Sequence, residues 1–172
     1  ESGKNINVLS QQEIQQLPVT TVDELLQYVG GINVNSRGGF GVQADIGMRG
    51  STFSQVLILV DNQRINDPLT AHFNSNVPIP LSEIHHIEIV RGSAAASYGA
   101  DAVGGIIHVK TKAYEWMMNT TEQTSEINGN VALGQHNPTM TDIGVYHQRK
   151  KLGSSAAMKS SQPIGERHVN PK

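Results

Sequence analysis

The 172-residue sequence predicts an α+β fold of short strands and short helices, followed by a few amphipathic strands. Three observations predict it. Val56 to Val60 is a continuous run of Val, Leu and Ile, the pattern of a strand buried on both faces. The segments 86–90 and 106–111 supply partner strands, and the helical signals are short and capped. After residue 113 the pattern changes to longer polar/apolar alternation.

The elements follow in order. Ser10-Gln-Gln-Glu13 and Thr21-Val-Asp-Glu24 place a hydroxyl and a carboxylate three residues apart, the spacing of a capping box at a helix start. The second helix offers Leu25, Leu26 and Val29 for burial, and Gly30-Gly31 ends it. Residues 35–41 read as a loop, and Ile46 to Gly50 as a short strand. Val56–Val60 is followed by Asp61-Asn62, a tight turn of residues that tolerate positive φ, with Arg64-Ile65 returning. Residues 66–80 form a long loop with three Pro and three Asn, a length usually tied to function or mobility. Leu81 to His85 reads as a helical turn and His86 to Val90 as a strand. Ser93 to Tyr98 is a short Ala-rich helix with Ser93 as its N-cap and Gly99 beyond its end. Ile106 to Thr111 is a further strand, introduced by Gly104-Gly105.

The first 112 residues carry 7 basic and 10 acidic side chains, the remainder 6 and 5. In that remainder Ile127, Val131 and Leu133 share one strand face and Asn128 and Asn130 the other, while Ile143 and Val145 alternate with Asp142, Tyr146 and Gln148. This alternation fits transmembrane β-strands. It also fits an ordinary amphipathic hairpin turning at His136-Asn-Pro-Thr139, which pattern alone favours.

Composition excludes several functions. The charged fraction is 16%, the net charge is −2 and no basic patch interleaved with aromatics occurs, which argues against nucleic-acid modules. With no cysteine there is neither a disulfide nor a thiolate metal site. No apolar run approaches the roughly 20 residues of a spanning helix, and the start at Glu1-Ser-Gly-Lys4 is polar, so the signal peptide of an exported protein is expected to have been removed or to lie outside this sequence. Val56 to Asp61 resembles a strand ending in a magnesium-binding Asp, but no phosphate-cradling loop accompanies it. Adjacent His85 and His86 on a regular strand point to opposite faces, so they cannot share a metal, and no H-x-x-x-H spacing occurs. No G-x-S-x-G elbow is present, and Glu83 and Glu88 have no evident partner in sequence. Arg49 and Arg91 each precede a Gly at a strand end. They read equally as surface residues or as partners for planar carboxylates.

Five segments together resemble the plug domain of TonB-dependent outer-membrane transporters. They are Asp23 to Val34, Ile46-Gly-Met-Arg-Gly50, Val56 to Asp67, Ile79 to Gly92, and Ser97 to Lys112, in that order and covering nearly all of residues 6–112. Asn62 stands where Gly is common and Ser93 where Pro is common. The resemblance implies a plug over residues 1–112, a small mixed β-sheet with short helices, and, over 113–172, the start of an incomplete β-barrel, since the smallest barrels need about eight strands. It implies a gate that binds an extracellular nutrient, such as an iron chelate or cobalamin, and releases it to the periplasm when TonB pulls on the N-terminal segment. The TonB-contacting segment precedes a stretch like Asn5 to Leu9 and is expected outside this chain. Arg49 and Arg91 are expected to pair with barrel-wall glutamates. Arg37, Phe40, Gln43, His72, Phe73 and Asn74, on outward-facing loops, are expected to meet substrate. The implied partners are TonB, the chain's own barrel and a small-molecule nutrient, with no nucleic acid; no cofactor, metal or catalytic group is implied. The alternative is an envelope adaptor or signalling domain that binds a protein through a sheet edge, with a small enzyme third.

Overall fold

The computed structural model describes residues 5–36, 44–66, 79–119, 124–132, 139–149 and 152–162. Among them, β1 (Asn5–Ser10), β4 (Val56–Val60), β5 (Gln63–Arg64), β6 (Ile84–Arg91) and β7 (Gly105–Thr111) form a mixed sheet in the order β1-β6-β7-β4-β5. β4 and β7 run parallel and the other pairs antiparallel. β4 lies inside the sheet, which is why all five of its residues are buried. Val56, Ile58 and Val60 join one core with Ile87, Ile89, Ile107 and Val109, under Leu25 and Leu26. Leu57 and Leu59 join a smaller core with Ile106, Ala95 and Ala102 on the opposite face.

The helices are short and set by their caps. α1 (Gln11–Gln16) carries the full box, in which Ser10 Oγ accepts from Glu13 N and the Glu13 carboxylate accepts from Ser10 N at 2.8 Å. At α2 (Val22–Gln27) the expected box is displaced. Thr21 Oγ1 accepts from Glu24 N, but Glu24 returns to Thr20, accepting from its backbone N at 2.8 Å and its hydroxyl at 2.9 Å. Two adjacent threonines divide a job that the spacing assigned to one. Gly31, at φ 80, then turns the chain into β2 (Ile32–Ser36), which pairs with β3 (Ala44–Met48) in a separate two-stranded sheet. Residues 35 and 36, expected in a loop, belong to β2.

Asp61 and Asn62 both adopt positive φ, 49 and 67, in a two-residue turn between β4 and β5. A 3-10 turn at Leu81–Glu83 leads into β6. The register then breaks between Ile84 and His86, leaving His85 as a bulge. The bulge changes the phase of the strand, so Ile84, Ile87 and Ile89 all enter the same core despite their uneven spacing. α3 (Ser93–Ala96) begins at Ser93 with Gly92, not Ser93, in the N-cap position. The backbone leaves β6 there at φ 79, a conformation glycine adopts freely.

The edge strand β1 and one helix are absent from the sequence reading. Directly after β7 the chain forms α4 (Lys112–Asn119), capped by Thr111, whose Oγ1 accepts from Tyr114 N at 3.2 Å. Then β8 (Thr124–Ala132), β9 (Thr139–Arg149) and β10 (Leu152–Gln162) make an antiparallel sheet in the order β10-β9-β8. α4 packs on β10, and the Leu81–Glu83 turn packs on β8 and β9.

Candidate functional site

Arg49 and Arg91 leave two different sheets and converge on one turn. Gly30 and Gly31 close α2 there. Gly31 O accepts from Arg49 N at 3.1 Å, and Gly30 O accepts from Arg91 Nη2 at 2.7 Å. A methyl group added at Gly31 would lie 3.9 Å from Arg49 Cγ and 4.0 Å from Arg91 Nη2. Arg91 is 8% exposed, whereas Arg49 is exposed and holds φ 52. Burial, and then the charge of Arg49, draw the Arg91 pKa below its ordinary value. Among the described residues Arg91 Nε has no acceptor, and no carboxylate pairs with either guanidinium. A buried guanidinium beside a like charge is costly unless an anion answers it.

A second polar cluster lies at the opposite end of the sheet. Glu88 receives a hydrogen bond from Lys110 Nζ at 2.9 Å and one from His86 Nε2 at 3.2 Å, and His108 Nδ1 lies 3.8 Å away. Burial opposes ionisation of Glu88, but the bonds and charges of Lys110 and His86 outweigh it and hold its pKa below the ordinary value. Lys110 is raised: burial works against its charge, and Glu88 and Glu115 overcome that. His108 is lowered, chiefly by burial, and its Nε2 accepts from Asn62 N at 3.2 Å. Thus Glu88, unpartnered in the sequence reading, is the centre of a network. The signal was present as alternation: His86 and Glu88 on β6 and His108 and Lys110 on β7 share one face once β6 pairs with β7.

The structure also corrects the reading of His85 and His86. They do not diverge. The bulge turns both rings to one side, where one Nδ1 donates to the other at 2.7 Å and the ring centroids lie 5.0 Å apart, edge to face. Among the described residues no group of three or more His, Asp or Glu side chains could hold a metal. Arg37, Phe40, Gln43, His72, Phe73 and Asn74 lie outside the described residues. The base of the second loop is visible: buried Asn66 uses its side chain to accept from Ile58 N at 2.7 Å and to donate to Val56 O at 3.0 Å.

On the three-stranded sheet, Ile127, Val145 and Ala156 align across the strands, as do Ile143 and Met158. All five are exposed, Ile127 at 77% and Met158 at 69%. The sheet therefore turns an apolar row outward, while Gly144 on the opposite face is buried. No helix among the described residues is long and apolar enough to cross a membrane.

A mixed sheet flanked by short helices, with two arginines meeting at the turn after the second helix, matches a known class. The profile described as "TonB-dependent Receptor Plug Domain" matches residues 1–106. The chain belongs to that family. It is 46% identical over 107 residues to the vitamin B12 transporter BtuB of Vibrio vulnificus (strain YJ016), a match spanning 62% of this chain and 17% of that protein. It is 36% identical over 117 residues to BtuB of Vibrio cholerae serotype O1 (strain ATCC 39315 / El Tor Inaba N16961), spanning 68% of this chain and 19% of that protein. The chain thus covers under a fifth of the length of these relatives. Among solved structures, the FrpB iron transporter of Neisseria meningitidis superposes with a TM-score of 0.69 at 18% identity, over 95% of this chain and 24% of that one. A mutant of the ferric enterobactin receptor of Pseudomonas aeruginosa gives 0.63 at 18%, over 94% and 25%. Matches of that extent take in strands beyond residue 112, and at that identity they speak for the fold.

Proposed function

We propose that this chain is the gate of an outer-membrane active transporter. Residues 1–112 form the plug, and 113–172 begin the barrel that encloses it. The plug holds the pore closed until a nutrient binds on the outward side and TonB, acting on the segment before β1, rearranges it and releases the nutrient to the periplasm. The observation that carries this reading is the Arg49–Arg91 cluster: two cations gathered at one turn, the buried one with an orphaned Nε, suit carboxylates projecting from a surrounding wall. The outward apolar row of β8–β10 supports a lipid-facing wall. The nutrient we favour is a corrinoid such as cobalamin, because the sequence relatives named above are vitamin B12 transporters. An iron chelate is the alternative. Arg37, Phe40, Gln43, His72, Phe73 and Asn74 are the proposed contacts.

The test uses the full-length receptor in outer membranes. Cobalamin is expected to bind saturably and ferric enterobactin not to compete; the converse would transfer the assignment to iron chelates. Arg49→Ala and Arg91→Ala are expected to raise leakage of small hydrophilic solutes, and unchanged leakage in both would remove the arginines from the gating role.

A further inference from the structure

The arginine cluster sits where β4 and β7 begin. At the other end of the sheet, the Leu81–Glu83 turn packs against β8 and β9. Glu83 is 8% exposed and points at Gly144 of β9. Gly144 is buried although its neighbours Ile143 and Val145 are exposed. Because side chains alternate along a strand, any residue replacing Gly144 would project toward Glu83. A Cβ there would come within 2.5 Å of Glu83 Cδ, nearer still to Oε1, and 3.3 Å from Oε2. Glycine weakens a strand interior and commonly marks a close approach by another group. Here the approaching group is a carboxylate.

We propose that Glu83 and Gly144 form a second seat between plug and barrel, with Gly144 as the socket that admits the Glu83 carboxylate. One attachment at each end of the central sheet would resist tilting of the plug, which a single cluster at one end resists poorly. A larger residue at 144 would force Glu83 out of its place and lift the turn from the strands. The inference rests on the proposal that residues 113–172 begin the enclosing barrel.

The experiment compares wild type, Gly144→Ala, Glu83→Ala and the double variant as full-length receptor in outer membranes, reading small-solute leakage and protease cleavage of the plug. Gly144→Ala is expected to raise both, about fivefold, and Glu83→Ala in the same chain to bring them back toward the Glu83→Ala level, the non-additivity of two groups in contact. Gly144→Ala indistinguishable from wild type, or a defect that Glu83→Ala leaves untouched, overturns the seat. If Gly144→Ala fails to assemble, Glu83→Cys/Gly144→Cys in a full-length background freed of any other cysteine decides the matter, these 172 residues having none: cross-linking by a short thiol reagent supports the contact and its absence overturns it. Wild-type protein that forms no heat-modifiable barrel would sink the proposal that residues 113–172 begin an enclosing barrel, whereas a sound barrel with an indifferent Gly144 sinks the seat alone.

Discussion

The Asp61 carboxylate, in the turn after β4, accepts from both the backbone N of Thr111 at 2.8 Å and its hydroxyl at 2.7 Å, fifty residues away in sequence. Thr111 is at once the last residue of β7 and the cap of α4. Next to it, Asn62 Nδ2 donates to the Tyr114 hydroxyl. One tight turn therefore fixes where the sheet ends and how the connecting helix leaves it.

Asp61→Ala should destabilise the fold by about 1–3 kcal/mol, because it strands a backbone N–H and removes a bond to a charged acceptor. Asp61→Asn keeps the turn conformation and one acceptor and should cost less. Chemical denaturation of the two variants, read by circular dichroism, checks the order; equal costs would mean that the turn's backbone, not its carboxylate, matters.

Asn66 takes the place of a strand partner for Val56 and Ile58 where β5 has already ended. Asn66→Leu should leave a donor and an acceptor unsatisfied in the core, at about 1–3 kcal/mol for each group. Hydrogen exchange at the Ile58 amide should accelerate more than at amides paired with β7. Uniform acceleration would show only a global loss of stability.

Gly31→Ala should destabilise by about 1 kcal/mol from positive φ alone. Its added methyl would reach only ordinary contact distance from Arg49 and Arg91. Thermal melting should thus fall modestly, while Gly30→Ala, which has no neighbour within 4 Å and no positive φ, should fall less.

The network at Glu88 sets an acid limit. The folded state lowers the pKa of His108 below its ordinary 6.5 and that of Glu88 below its ordinary 4.5. For both groups the unfolded chain binds the proton more readily, so stability rises with pH through the interval. Their contributions are present above the ordinary values and are lost as pH falls, first through His108 and then through Glu88. Lys110 is raised, so its share is lost only in strong alkali. Denaturation midpoints from pH 7 to pH 4 should fall, and Glu88→Gln should flatten the lower part of that decline. An undiminished decline would place the acid sensitivity elsewhere.

Much of this was legible in sequence because it is local. The unbroken run of β4, the caps at Ser10 and Thr21, the Asp61-Asn62 turn and the glycine stop at Gly30-Gly31 each depend on residues within a few positions. Even there, competition between neighbours altered details. Thr20 took the return bond expected at Thr21, and Gly92 took the cap position expected of Ser93. α4 escaped notice because Lys112 to Asn119 contains no conventional cap of its own; its cap is the final residue of a strand.

The sequence alone determined the order of most elements, the apolar runs that form the core, and the family, because hydrophobic periodicity and turn chemistry act over short distances. Tertiary structure decided which distant groups meet. The pairing of β6 with β7 made Glu88 a network centre, the bulge at His85 turned two histidines toward each other, and packing brought Arg91 to Gly30, 61 residues away. Such meetings depend on strand register and on the closing of long loops, and no local pattern encodes either.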